Sequence, residues 1–254
     1  MRNKLLWLGF SLILPVLIIL LWVYVTHNSI LPELLLPRPG KVMEMFWKQI
    51  TVGTLKNDIR VSLIRILKGY ALAAVVGISL GVIMGMSRIA ERFFTLTFTS
   101  IRQIPMMAWV PLLIMWFGIG EESKVAVIFM AAYFPILINT LSGIRRTDPK
   151  LIEVGRMYNL SKMKLFTKIY LPSALPNIFV GLKLGLGISW MAVVGAEMIA
   201  ASSGIGFRLN DARALMQFPI VFSGMLAIAI TGVLMDWILT FISRVVTPWD
   251  KNKS

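Results

Sequence analysis

Six apolar runs, each near twenty residues or longer, organise the chain: Leu5–Val25, Val61–Met86, Phe93–Gly118, Val125–Ile144, Asn177–Ala201 and Ile220–Ile242. At about 1.5 Å per helical residue, about 20 residues cross a hydrocarbon layer of about 30 Å. Backbone polar groups in lipid must be satisfied within the segment, so such runs are helices. The pattern therefore predicts an all-α polytopic membrane protein with about six transmembrane helices. The first run follows Arg2 and Lys4, like a signal peptide. It is longer than the roughly 7–15 apolar residues of a signal core, and Val25-Thr26-His27-Asn28 offers no small-residue cleavage site. It reads as an uncleaved first span.

Between Asp148 and Pro172 the pattern changes to polar, basic and helical: DPKLIEVGRMYNLSKMKLFTKIYLP. Asp148 is placed to cap a helix that has Pro149 in its first position. Leu151, Ile152, Gly155 and Tyr158 share one face at 3.6-residue spacing. Asn159 tolerates the left-handed conformation that ends a helix. Ser161 can cap a second helix, Lys162–Tyr170, which Pro172 and Pro176 are expected to close before the fifth span. Gly inside a helix costs about 1 kcal/mol relative to Ala, and close approach of another backbone would explain Gly155. Two short capped helices with an outward-facing small residue suit docking into a groove on a second protein. Packing beneath the chain's own membrane helices is the other reading. In the 27–60 loop, Pro37, Pro39 and Gly40 predict a rigid turn, and Val42–Ile50 a short amphipathic helix at the membrane surface.

Composition agrees with the pattern: 57% of the 254 residues are hydrophobic, above the usual 45–50% or so of soluble domains. The formal charge of +14 would suit a nucleic-acid binder if the basic residues formed one patch. They fall instead in loops between spans, a membrane pattern. Arg2, Lys4, Arg88, Arg92, Arg145, Arg146, Lys150, Arg156, Lys162, Lys164, Lys168, Arg244, Lys251 and Lys253 would all lie on one side. That side is cytoplasmic by the positive-inside rule, with both termini in the cytoplasm. The absence of Cys and a single His, His27, exclude disulfides and thiolate metal sites and leave little scope for imidazole chemistry. Three regions follow: 1–60, first span and outer loop; 61–246, a core carrying the 145–176 loop; and a 247–254 tail.

Charges inside spans are costly, at about 2.5–3.5 kcal/mol on insertion scales, and mark candidate functional positions. Arg65 and Lys68 fall near an outer end. Lys183 can snorkel, and Glu197 and Asp236 can pair with basic residues or settle at helix ends. Arg102-Gln103 precedes Pro105, which bends a helix and can turn polar groups toward a cavity. Arg102 would present a planar donor set suited to sulfonate, nitrate or carboxylate, unless it sits in a structural ion pair or at the membrane edge. Asn139, Trp190 and Glu197 are further candidates for the same passage, Trp190 being equally readable as a packed aromatic. Gly77, Gly81 and Gly85, and Gly181 and Gly185, recur at four-residue spacing and predict close helix contacts, within one subunit or between two.

Glu153-Val154-Gly155, Asn159, Ile169, Leu171 and Pro172 together resemble the cytoplasmic loop signature of ATP-binding cassette importer permeases. Val154-Gly155 stands where alanines are usual, and Asn159 where glycine is; Gly is still small and Asn reaches the same backbone region. The likeness continues through LPRPGKV, RQIPMMAWVPLLIMWFGIG, FPILINTLSGIR and GAEMIAASSGIG. Over nearly the whole chain it resembles the nitrate/sulfonate/taurine branch, the aliphatic sulfonate permeases above all. The resemblance implies a type I importer permease fold and a homodimeric pore in the bacterial inner membrane. It implies a cytoplasmic ATPase that grips Glu153, Val154, Gly155, Tyr158, Asn159, Leu171 and Pro172, and an extracytoplasmic binding protein that delivers substrate. Glu153 and Gly155 would be the docking residues. The chain has no Gly-Lys-Ser/Thr phosphate loop, so it is not expected to be an enzyme or to hold a cofactor; ATP and Mg would belong to the partner. Taurine, nitrate, bicarbonate or a pyrimidine vitamin precursor are alternative substrates. An ion-coupled carrier would share the spans but leaves the capped helix pair unexplained. A membrane enzyme would need reactive side chains that are scarce here.

Overall fold

The computed structural model describes residues 2–250, with side chains at residue 10 and at 12–250. Lys251 and Lys253, in the second half of the expected tail, lie outside the described residues. The helices run α1 Arg2–His27, α2 Pro39–Val52, α3 Thr54–Met86, α4 Arg88–Arg102, α5 Met106–Phe117 and α6 Glu121–Arg145. They continue with α7 Pro149–Met157, α8 Lys162–Leu165, a π turn Phe166–Tyr170, α9 Leu171–Ala200, α10 Ile205–Ala214 and α11 Phe218–Val246. No strand occurs among the described residues.

Among the described residues, four helices are long and apolar enough to cross a membrane: Thr54–Met86, Glu121–Arg145, Lys162–Ala200 and Phe218–Val246. The expected Phe93–Gly118 span is not one helix. It breaks at 103–105 into α4 and α5, which meet at 97°. Pro105 supplies the reason, since it has no N–H to continue α4 and instead caps α5. The expected first span lies within α1, whose described apolar part is Leu12–His27. There Leu12–Leu21 and Val23 are exposed almost all round. Its ties to the rest include the Trp22 indole N–H donated to Pro37 O at 3.0 Å and a Trp22–Phe222 ring contact.

The centre is a three-helix stack of α3, α6 and α9. One stripe of α3 is Gly69, Ala73, Gly77, Gly81 and Gly85; a Cβ on Gly81 would lie 2.6 Å from Thr140 Cβ, and one on Gly85 2.7 Å from Ile144 Cβ. The opposing α6 stripe of Ile128, Ala132, Ile136, Thr140 and Ile144 is fully buried. On the other face of α6, Gly181 and Gly185 bring α9 against Pro135, Asn139 and Ala132. The four-residue glycine spacing thus packs spans within one subunit, because only a missing side chain allows backbones this close.

The bundle has two ends. One carries α2, α10 and the starts of α3, α6 and α11. The other carries the ends of α3 and α6, the start of α4, α7 and α8. At the latter, Pro172 and Pro176 do not close the second loop helix as expected. Lys162–Ala200 is continuous, because the π turn before Leu171 widens the backbone where Pro172 cannot donate.

Candidate functional site

At the α7 end, the 145–176 loop folds largely on its own signals. The Asp148 carboxylate accepts from Lys150 N at 2.9 Å, and Pro149 opens α7. Asn159 takes φ +50, while Leu160 N donates to Gly155 O at 3.1 Å and Asn159 N to Arg156 O at 2.9 Å. That is a paired left-handed helix stop, with its orphan carbonyls satisfied. Ser161 Oγ accepts from Lys164 N at 3.4 Å and starts α8.

Gly155 does not face outward. It is buried, and a Cβ there would lie 2.6 Å from both Leu165 Cδ1 and Ile169 Cδ1. The missing side chain makes room for the loop's own second helix, so Gly155 is a packing residue rather than a docking one. The expected shared face is also divided: Ile152 is half-buried, whereas Leu151 and Tyr158 point away. The outward surface is apolar, with Leu151 50%, Val154 48%, Met157 82% and Tyr158 79% exposed, and Glu153 and Arg156 exposed beside it. Leu171 packs on the cluster of Ile144, Ala174 and Ile178, and Pro172 is half-buried beside it. These two seat the loop on the membrane helices.

A cleft of about 430 Å³ opens at the break between α4 and α5. Arg102 and Asn139 line it, among apolar residues such as Trp109, Phe134, Ile138 and Ile188. Arg102 is exposed and makes no ion pair among the described residues, and Asn139 Nδ2 donates to Pro135 O at 2.8 Å. Gln103, at the turn, is exposed but lies outside the lining. Trp190 and Glu197 are not in this cleft. Trp190 is 6% exposed in the core, its indole N–H donating to Ile228 O at 3.1 Å.

Glu197 belongs to a buried node at the α10 end. Its carboxylate accepts from Arg65 Nη1 at 2.7 Å, Ser62 Oγ at 2.8 and 2.9 Å, and Gly206 N at 3.0 Å. It thereby caps the N-terminus of α10, where backbone N–H groups and the helix dipole favour a negative charge. Gly204, at φ +107, leaves space for that carboxylate: a Cβ there would lie 2.5 Å from Glu197 Cδ. Arg65 also donates Nε to Glu121 Oε2 at 2.7 Å and Nη1 to Ser203 O at 2.8 Å. Asp58 pairs with Arg208 of α10 and accepts from Gly204 N at 3.4 Å. The node ties α3, α6, α9 and α10 together. A carboxylate one turn before the end of an apolar span, followed by Gly-Ile-Gly, was the available signal for it; a partner in Arg65 was not visible. Lys183 is half-buried, and Asp236 is exposed without an ion pair among the described residues. No cluster of three or more metal-binding side chains occurs among the described residues.

Comparison with known proteins adds to this geometry. Residues 74–248 match the model of the family described as "Binding-protein-dependent transport system inner membrane component". SsuC of Bacillus subtilis, named for aliphatic sulfonates transport, is 36% identical over 94% of this chain and 87% of its own length. The taurine transport system permease protein TauC of Escherichia coli is 33% identical over 93% and 87%. The nitrate import permease protein NrtB of a Synechocystis species is 36% identical over 85% and 82%. A chain of the MetNI methionine ABC transporter in an inward-facing conformation superposes with a TM-score of 0.69 at 19% identity, over 78% of this chain and 99% of that one. That likeness concerns the fold.

Proposed function

The chain belongs to the family of binding-protein-dependent transport system inner membrane components, permease subunits of ATP-binding cassette importers, and on that premise we propose that it imports a small anion, aliphatic sulfonates foremost. The sulfonate, taurine and nitrate named for its relatives each carry an anionic group with a planar or tetrahedral oxygen set. Arg102 beside the apolar cleft offers the donor set that such groups and an alkyl tail would meet. A passage must release what it binds, so one exposed guanidinium and one amide suit transit better than a closed cage.

The observation that carries the coupling is the outward face of α7. Three apolar side chains of a nine-residue helix, and Tyr158 at its C-cap, stand in solvent, braced from behind by α8 and the π turn. An exposed apolar cluster of that kind marks a protein contact. A cytoplasmic ATPase seated there would move α7 as it closes on nucleotide, and differential contact in the two states would shift the pore. The basic α7 end then lies in the cytoplasm with both termini, and the α10 end faces a binding protein outside. Two copies of the chain form the pore.

Reconstitution with the ATPase and binding protein in vesicles tests the reading. Uptake of labelled hexanesulfonate should require ATP inside and survive a protonophore. Uptake without ATP that collapses with the proton gradient would make the chain an ion-coupled carrier. Arg102→Gln should slow uptake at unchanged membrane abundance, and an unchanged rate would remove Arg102 from the passage.

A further inference from the structure

A second cavity, of about 620 Å³, opens at the α7 end on the side of α4, apart from the Arg102 cleft and the exposed face of α7. Arg88 and Arg92 from the first turns of α4 and Arg145 from the end of α6 line it, with Glu91 as its one carboxylate. Glu91 pairs with Arg145. Arg88 and Arg92 are exposed and make no ion pair among the described residues, so two positive charges remain uncompensated. Thr147 also lines the cavity. It is 4% exposed, and its Oγ1 has no hydrogen-bond partner among the described residues. A buried hydroxyl left unpaired is destabilising, and native structures rarely tolerate one without a reason.

Two uncompensated guanidinium groups beside one space, with an unpaired hydroxyl buried in its wall, form the donor set of a tetrahedral oxyanion. We propose that this cavity holds a phosphate group, and that the group is the headgroup of an anionic phospholipid. The source follows from the outer face of α4. Ile89, Phe93 and Leu96 are 84%, 73% and 78% exposed, and at these spacings they form one stripe beside the arginines. The acyl chains of such a lipid would lie along that stripe while its phosphate sits at the arginines beside it. The inference rests on the proposed orientation, which puts this end against the cytoplasmic leaflet, where anionic headgroups meet basic pockets between helices. Its readout is lipid binding rather than transport, so the two can fail separately.

The intact importer complex, purified and delipidated, is offered phosphatidylglycerol, phosphatidylcholine or inorganic phosphate, and retained lipid is counted by mass spectrometry alongside thermal unfolding. Phosphatidylglycerol should be retained and should raise the unfolding temperature, phosphatidylcholine less, and inorganic phosphate not at all. The R88Q/R92Q double variant should weaken retention by roughly tenfold or more, two surface charges having been lost. Thr147→Val, which exchanges the hydroxyl for a methyl of equal size, should reduce retention by roughly tenfold or more, as one lost hydrogen bond to a charged group predicts. It should unfold no earlier than wild type when lipid is absent. Protection by inorganic phosphate equal to that by phosphatidylglycerol would overturn the lipid assignment. Equal retention of both lipids by wild type and by both variants would overturn the site.

Discussion

The α10 end and the α7 end of the bundle both gather polar residues, by opposite means. At the α10 end, Arg65 and Glu197 have side chains 2% and 0% exposed and join positions 132 residues apart in sequence. At the α7 end, Asp148, Asn159 and Ser161 complete their bonds within a few residues, and the face they build is left in solvent. The first arrangement locks four helices to one another. The second makes a short helix whose inner side is packed and whose outer side is exposed and apolar. Damage at one end should therefore be read in stability, and damage at the other in coupling.

Glu197→Ala should have the largest effect. It leaves the Arg65 guanidinium and the α10 N-terminus facing an empty buried site, and removal of one member of a buried pair costs about 3–5 kcal/mol. The expectation is a lower unfolding temperature and poor recovery from the membrane. An Arg65→Met, Glu197→Met double variant should lose less than the two single variants summed, because the groups form one network. Strict additivity would show that the node is not a unit.

Next comes the stripe that holds the two ends in register. Gly81→Ala places a methyl 2.6 Å from Thr140 Cβ and 2.8 Å from Leu137 O. One of those neighbours is backbone, so the helices must part, at about 1–3 kcal/mol as overpacking goes. Thermal unfolding of the solubilised protein checks this. An unchanged midpoint would mean that the α3–α6 contact is looser than its geometry.

Legibility followed the same division. Asp148, Pro149, Asn159 and Ser161 were readable because a cap or a left-handed stop depends on neighbours a few residues away. The glycines of α3 and α9 were readable because a four-residue period survives in sequence. The role of Gly155 was misread: its burial depends on Leu165 and Ile169, and sequence shows that space was needed without showing which backbone or side chain fills it. Glu197 and Trp190 were drawn to the passage by chemistry alone, whereas their partners Arg65 and Ile228 lie on helices whose rotation no local pattern fixes. The break at 103–105 was foreseen as a bend at Pro105; that it would turn 97° and split a span depends on how α4 packs its Phe94 and Phe98 against Tyr133 and Phe134.

Asp148→Ala removes one capping bond at the exposed end. It should cost about 1 kcal/mol, confined to the loop, seen as faster amide exchange in α7 with little change in global unfolding. A global loss as large as that from Gly81→Ala would tie the loop to the core and weaken the contrast between the ends.

Tyr158→Ala should have the smallest effect on the fold. With 79% of its surface free, its removal should change stability by no more than about 0.5 kcal/mol. Yet an exposed aromatic on a docking face is the kind of residue that concentrates binding energy, and its truncation there typically costs about 2 kcal/mol, roughly thirtyfold in affinity. Co-purification of the ATPase should fall accordingly while the permease stays in the membrane at wild-type abundance, and ATP-driven uptake should fall with it. The split between an intact fold and a lost partner is what separates this end from the other. If Tyr158→Ala binds the ATPase as wild type does, the outward face of α7 is not the contact, and the four apolar side chains there need another cover.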